Sequence, residues 1–395
     1  MAGTEGLLSD IVVLDLSRAL AGPHAAMMMG DLGARVIKVE SSTGDDSRGW
    51  GPPFIETESG RESTYFFSAN RNKESIVLDL KTLEGKETFR ALVLQSDVLV
   101  ENFRVGVLDR LGLSFDYLHE LNPRLVILSI TGFGHDGPEA TRPGYDQIAQ
   151  GEAGLMSLTG PVGGEPTKVG VPISDLLAGM NGAFGVVAAL YERSITGRGR
   201  VVRTSLLAST VGAHAFQGTR WTVAGEVPAS SGGHHPAIAP YGLFPTATAP
   251  IQVACGSEAL WRAFAEVIRI DAAEPRFLDN ADRVAHRDDL TAVISAALGT
   301  QSAEQWLPRL VTAGVPAGKV RTLDDVYGWD QALSQGLVIE VDHASVGRIR
   351  LPGSPLRFDD NSFSGARSKH LAPPVLGQHN HSVLAWLDSL KPDRG

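Results

Sequence analysis

Ile11-Val-Val-Leu-Asp-Leu16, then residues 23–33, then Val36-Ile-Lys-Val-Glu40, is the stretch whose reading decides the fold. The first run is apolar and β-branched and too short for a helix, so it reads as a buried strand. Residues 23–33 begin at Pro23 and stop at Gly33, which is how a helix is opened and closed. Residues 36–40 return to strand character. Strand, helix and strand within 30 residues make a crossover unit of a parallel sheet.

Working outward, the same alternation continues. After a polar loop come a strand at 75–80, a helix at 83–95, a strand at 98–100, a helix at 115–121 and a strand at 125–130. Residues 145–158 suit a helix, and a longer one follows Asp175. Gly179, Gly182 and Gly185 recur there at three-residue steps, so one face lacks side chains and is expected to press against another backbone. Around residues 229–240 the composition shifts to Ser, Gly, His and Pro, marking passage into a smaller domain. Helices are expected there at 258–268, 288–298 and 303–312, with strands at 251–254 and 318–320. Beyond Thr322 come a short helix, strand-like stretches at 337–341 and 348–351, and a helix at 383–390. At 395 residues the chain is expected to form two domains, or one large domain with an inserted small one.

The net charge of −10 excludes a general nucleic-acid binder, because phosphate contacts need a concentrated basic face. Basic residues gather only at Arg71, Lys73, Lys81, Lys86, Arg90, Arg104 and Arg110, several of them on loops after strands, where open α/β sheets take ligands. The one cysteine, Cys255, forms no intrachain disulfide, so a reducing, cytoplasmic setting is expected. The first twenty residues lack a secretory pattern, and no apolar run is expected to reach membrane-spanning length.

Gly132-Phe-Gly-His-Asp-Gly137 matches the spacing of a dinucleotide-binding loop, but Pro138 and Pro143 stand where the fingerprint needs a helix to begin. It reads as a glycine-rich turn. Histidines 234 and 235 are adjacent and 379 and 381 two apart, neither being the spacing that puts two imidazoles on one helix face for a metal, so no metal is expected. Nucleophile-elbow and P-loop patterns are missing.

Asp175 ends Gly170-Val-Pro-Ile-Ser-Asp175, where Pro172 stops any preceding helix and Ser174 is placed to cap the next. A carboxylate in a first helical turn either serves the helix dipole alone or, held ionised by it, acts as a nucleophile. Spacing alone leaves both readings open.

The residues also resemble a known family along nearly the whole chain. The matching motifs include Ala21-Gly-Pro23, Gly33-Ala-Arg-Val-Ile-Lys-Val-Glu40, Asn72-Lys-Glu-Ser-Ile-Val-Leu-Asp-Leu-Lys81, Glu101-Asn-Phe103, Arg142-Pro-Gly-Tyr-Asp146, Thr196-Gly-Arg-Gly199, His235-Pro-Ala-Ile-Ala-Pro-Tyr241, Gly314-Val-Pro-Ala-Gly318 and Leu376-Gly-Gln-His379. The chain resembles the family III CoA-transferases. The resemblance implies an α/β large domain with a Rossmann-like parallel sheet built from both termini, 1–225 and 326–395, with a small α+β domain inserted at 226–325, in an interlocked homodimer. It also implies transfer of CoA from an acyl-CoA to a carboxylic acid with no prosthetic group. Its nucleophilic aspartate falls on Asp175, which would pass through an aspartyl anhydride and aspartyl-CoA. Its CoA contacts fall on Ala19, Leu20, Leu78 to Lys81, Asn102, Phe103, Arg104 and Arg110, and its acyl site near Tyr145 and the Gly232-Gly233 flap. Leu20 stands where formyl-CoA transferase has Gln, which leans towards a less polar acid than oxalate. A racemase of the same fold needs a His before Asp146, where this chain has Tyr145. An inactive CoA-binding protein is the other alternative.

Overall fold

The computed structural model describes residues 6–58, 60–359 and 365–390. The chain forms two compact units. One comprises residues 1–155, 169–223 and 329–395, the other residues 156–168 and 224–328. The expected boundaries at 225/226 and 325/326 contain no excursion such as 156–168.

The larger unit is built on a six-stranded parallel sheet. Its strands are β1 (Val12–Asp15), β2 (Arg35–Glu40), β3 (Lys73–Val77), β4 (Val98–Glu101), β5 (Val126–Thr131) and β6 (Val201–Ser205), in the spatial order β3-β2-β1-β4-β5-β6. Register pairs such as Leu14 with Ile37 and Val13 with Val98 run parallel throughout. Helices α1 (Ala21–Asp31) and α3 (Ile173–Thr196) cover one face, packing Ala25, Met29, Ala178 and Val186 onto Val13, Val36, Val126 and Leu128. Helices α2 (Leu83–Leu94) and α4 (Asn380–Ser389) cover the other, bringing Phe89, Leu92 and Val383 to Leu14, Ile37, Leu99 and Ile127. Burial on both faces is why β4 and β5 read as continuous apolar runs without alternation. The order reverses beside β1, so a crevice lies past the carboxyl ends of β1 and β4, where such sheets bind ligands.

Several expectations need correction. The strand expected at 75–80 ends at Val77, so residues 78–81 lie on the loop beyond it. The helix expected at 145–158 is two short helices, Asp146–Glu152 and Leu155–Leu158. The sixth strand, VVRTS, carries a weak strand signal because Arg203 interrupts a short run at the sheet edge. The three helical glycines do not share one backbone neighbour. A Cβ would meet the Ala21 carbonyl at Gly179 (2.7 Å), Leu128 at Gly182 (2.9 Å) and Val202 at Gly185 (2.6 Å). Steps of three residues drift by about 60° on a helix, so the row turns from α1 to the sheet. By length and composition α3 is also apolar enough to cross a membrane, contrary to the expectation that no segment is. One side of that apolar surface is used in packing on α1, β5 and β6.

The smaller unit is α+β. Strands Tyr241–Phe244, Ile251–Ala254 and Ala317–Lys319 form an antiparallel sheet. Helices Glu258–Ile268, Arg287–Leu298 and Ala303–Thr312 supply its core, including Trp261, Phe264, Ile294 and Trp306. The buried Arg283 pairs with Glu258 (2.6 Å) and accepts no exposure, its Nε donating to the Ala239 carbonyl (2.7 Å).

Candidate active site

Asp175 lies in the first turn of α3, but its surroundings differ from those expected of it. Pro172 at the N-cap offers no side-chain bond, and Ser174 sits inside the helix with its hydroxyl accepting from Thr210 (2.8 Å). The capping is done from outside. Asp146 Oδ1 accepts the Ser174 N–H (2.8 Å) and lies 3.4 Å from the Asp175 N, while its Oδ2 accepts from the Gln150 amide (2.7 Å). A second carboxylate therefore occupies the helix terminus that was expected to hold Asp175 ionised. Burial, and then the charge of Asp146, push Asp175 up to about 7. The direction is opposite to the expected one, because Asp146 has taken the free N–H groups.

Tyr65 belongs to this site and carried no sequence signal, and His24 stands against the same helix, α3. Burial and the carboxylates of Asp175, Asp146 and Asp45 push the Tyr65 phenol up to about 12, and its ring stands edge-on to Trp50 at 4.9 Å. His24 of α1 lies beside Gly179, its Cδ2 3.2 Å from the position of an added Cβ, one helical turn from Asp175. Burial, then Arg71 and Lys73, push this imidazole down to about 4, so it is neutral. Tyr145 is 65% exposed.

The residues assigned to CoA converge in part. Leu78, Leu80, Lys81, Phe103 and Arg110 line one cavity of about 560 Å³ past the ends of β1, β2 and β3, together with Arg18. Asn102 lies outside its lining and clamps the backbone of Arg18, accepting its N–H and donating to its carbonyl, each at 2.8 Å. The Arg18 guanidinium lies 5.4 Å from the centre of the Phe103 ring. Arg104 lines a separate cavity of about 270 Å³ on the far side of Phe103. Leu20 is buried, so its side chain is a poor guide to substrate polarity. Gly232 and Gly233 line a cavity of about 540 Å³ within the smaller unit, beside His235 stacked on Tyr241.

Ala19 has φ +64°, a left-handed conformation that costs a non-glycine residue about 1 kcal/mol or more. It is held by Asp45, whose Oδ1 accepts its N–H (3.1 Å) and whose Oδ2 pairs with the fully buried Lys38 at 2.9 Å. Burial pushes Asp45 up, but Lys38 and the N–H donors of Ser47 and Ala19 outweigh it and bring the group down to about 2. Of the basic gathering, Arg71 is bound to Asp31 and Lys73 to Asp15, both buried. Those two cations are structural, which narrows the expected anion patch to its exposed members. Cys255 is buried and its thiol is pushed up to about 12 by burial, so it is inert. Among the described residues no cluster of three His, Cys, Asp or Glu is placed to hold a metal.

Residues 8–380 match the family described as CoA-transferase family III. The chain is a family III CoA-transferase. It is 36% identical to the succinyl-CoA:glutarate CoA-transferase of Mus musculus over 98% of this chain and 87% of that one. It is 38% identical to the acetyl-CoA:oxalate CoA-transferase of Acetobacter aceti over 91% of this chain and 92% of that one. The crystal structure of a CAIB/BAIF family protein from Brucella suis superimposes with a TM-score of 0.86 at 38% identity, covering 97% of this CoA-transferase and all of that chain. Enzymes of this kind move CoA between an acyl-CoA and a carboxylate.

Proposed function

We propose that Asp175 is the nucleophile of this CoA-transferase, and the observation that carries the reading is its raised proton affinity at a helix start. A carboxylate crowded by burial and by Asp146 is more basic than an ordinary one and loses its charge when acylated. An Asp175 oxygen attacks the acyl-CoA carbonyl, the C–S bond breaks, and CoA leaves as thiolate. The thiolate then attacks the aspartyl carbonyl of the anhydride, releasing the donor acid and forming aspartyl-CoA. The acceptor carboxylate attacks that thioester, and the returning thiolate opens the new anhydride to yield the second acyl-CoA and free Asp175. Lys81, Arg110 and Arg18 on the 560 Å³ cavity are suited to the CoA phosphates. The test is intact-mass analysis after incubation with a panel of acyl-CoA esters, with hydroxylamine trapping. An adduct on Asp175 is expected; none with any ester, together with α-proton exchange, sinks the reading.

The acceptor is proposed to be a dicarboxylic acid, as the names of the relatives suggest. This replaces the leaning towards a less polar acid, which rested on the buried Leu20.

Protonation of Asp175 removes the nucleophile, so acylation should fall about tenfold from pH 8 to pH 6. In Asp146→Asn the repulsion is gone while the amide oxygen still accepts the Ser174 N–H. Its single-turnover acylation at saturating acyl-CoA should therefore lose less over that range, and a profile unchanged from wild type would refute the role given to Asp146.

A homodimer is proposed from α3, whose Met180, Phe184, Val187, Tyr191 and Ile195 form an exposed apolar stripe, Phe184 at 77% and Tyr191 at 72%. Sedimentation should give twice the 42.0 kDa chain mass, and Phe184→Glu should shift the species towards monomer. A cytoplasmic setting is proposed from the lone reduced Cys255.

A further inference from the structure

The 270 Å³ cavity beside Phe103 is lined by three groups that the transfer chemistry leaves unused: Glu101, Ser129 and His135. They form a continuous hydrogen-bonded chain. Glu101 is the last residue of β4 and is 4% exposed; its Oε2 accepts the Phe103 N–H at 2.9 Å and its Oε1 accepts the Ser129 hydroxyl. Ser129 Oγ lies 2.8 Å from Nε2 of His135, a residue of the Gly132–Gly137 turn. The chain thus ties that turn, through β5, to the 101–103 segment. That segment is a wall of the larger cavity, since Phe103 lines it and Asn102 clamps Arg18 there.

A serine hydroxyl has one proton and donates it one way at a time. When Glu101 is ionised, Ser129 donates to it and accepts the Nε2–H of His135. When Glu101 is protonated, its O–H donates to Ser129, Ser129 donates to Nε2, and the ring carries its proton on Nδ1. The two states differ by one proton, which enters at Nδ1 and is relayed through Nε2 and Ser129 to the carboxylate. Only the ionised state gives Phe103 a charge-assisted acceptor.

We propose that Glu101, acting through Ser129 and His135, is a positioning residue that makes acyl-CoA binding depend on the release of one proton. The proposal rests on the reading of the 560 Å³ cavity as the CoA site. The charged groups facing the chain are Asp109 and Asp116 on the neighbouring helices, Arg104 on the loop, Asp136 in the turn beside His135, and Arg203 on β6. Burial pushes Glu101 up to about 7 against the Ser129 and Phe103 donors, with Asp109 adding to the rise. Burial and then Arg203 hold His135 below its ordinary value against the opposing charge of Asp136.

The experiment measures CoA binding by calorimetry at pH 6 and pH 8 in Asp175→Asn protein, which removes the other group titrating near 7 and any covalent chemistry. The near-isosteric double variant with Glu101→Gln cancels the titration of CoA itself. Kd should rise about tenfold more on acidification in the single variant than in the double, as one group with a pKa near 7 requires. Ser129→Thr keeps the hydroxyl and should retain the excess, whereas Ser129→Ala should alter it. Equal pH dependence with and without Glu101 overturns the proposal alone. No CoA binding at pH 8 in the Asp175→Asn protein overturns the CoA reading of the cavity as well.

Discussion

Asp175→Asn should lower turnover by about 10³-fold or more, abolish the acyl adduct, and leave CoA bound. The size follows from removing a nucleophile for which no neighbour substitutes, since Asp146 is spent on the helix terminus. CoA should remain bound because the cavity lined by Lys81 and Arg110 does not include Asp175. Stability supplies an independent check. A carboxyl held at about 7 in the fold and near its ordinary value in the unfolded chain takes stability away as pH rises through that interval. At pH 8 the ionised Asp175 therefore opposes folding, and Asn removes the opposition. The variant should melt at the same temperature as wild type or higher at pH 8, with the advantage shrinking towards pH 4. A variant that melts lower and retains turnover would show that Asp175 is a structural cap and nothing more.

Lys38→Met should cost the larger unit about 3–5 kcal/mol, the usual consequence of removing one partner from a buried ion pair. Lys38 is wholly buried; its Nζ donates to the Ser17 carbonyl (2.8 Å), pairs with Asp45 at 2.9 Å and stands 3.8 Å from Asp15. Asp15 keeps Lys73 as a second partner at 2.8 Å, whereas Asp45 has Lys38 as its one paired cation among the described residues. It would be left as a buried carboxylate, and with it the restraint that holds Ala19 at φ +64°. Asp45, held at about 2 in wild type, contributes stability that is present above its unfolded value and lost as pH falls through about 2. Without Lys38 its proton affinity rises, so the variant's deficit, measured by denaturant unfolding, should narrow on acidification. A deficit independent of pH would mean that methionine merely fits poorly.

Much of the fold was legible because the signals are local. The run IVVLDL, Gly33 and VIKVE mark a strand, a helix end and a strand within 30 residues, and burial on both faces preserves that pattern along β4 and β5. What escaped was set by neighbours distant in sequence. Val201–Ser205 drew no assignment, since Arg203 breaks its apolar run, and hydrogen bonding to β5 makes it a strand. Arg71 and Lys73 looked like members of an anion patch, yet Asp31 and Asp15 bury them. Ser174 looked like a cap until Asp146, 28 residues earlier, proved to take its N–H.

The sequence by itself determined the parallel α/β class, the placing of Asp175 in a first helical turn, and the loops after β3 and β4 that carry Lys81 and Phe103. These follow from side-chain period, from proline and glycine, and from motif order, all written within a few residues. Tertiary structure alone decided the proton affinities of Asp175 and Glu101. Ionisation depends on burial and on charges only a few ångströms away, and the chain brings those charges together from segments that no local pattern links.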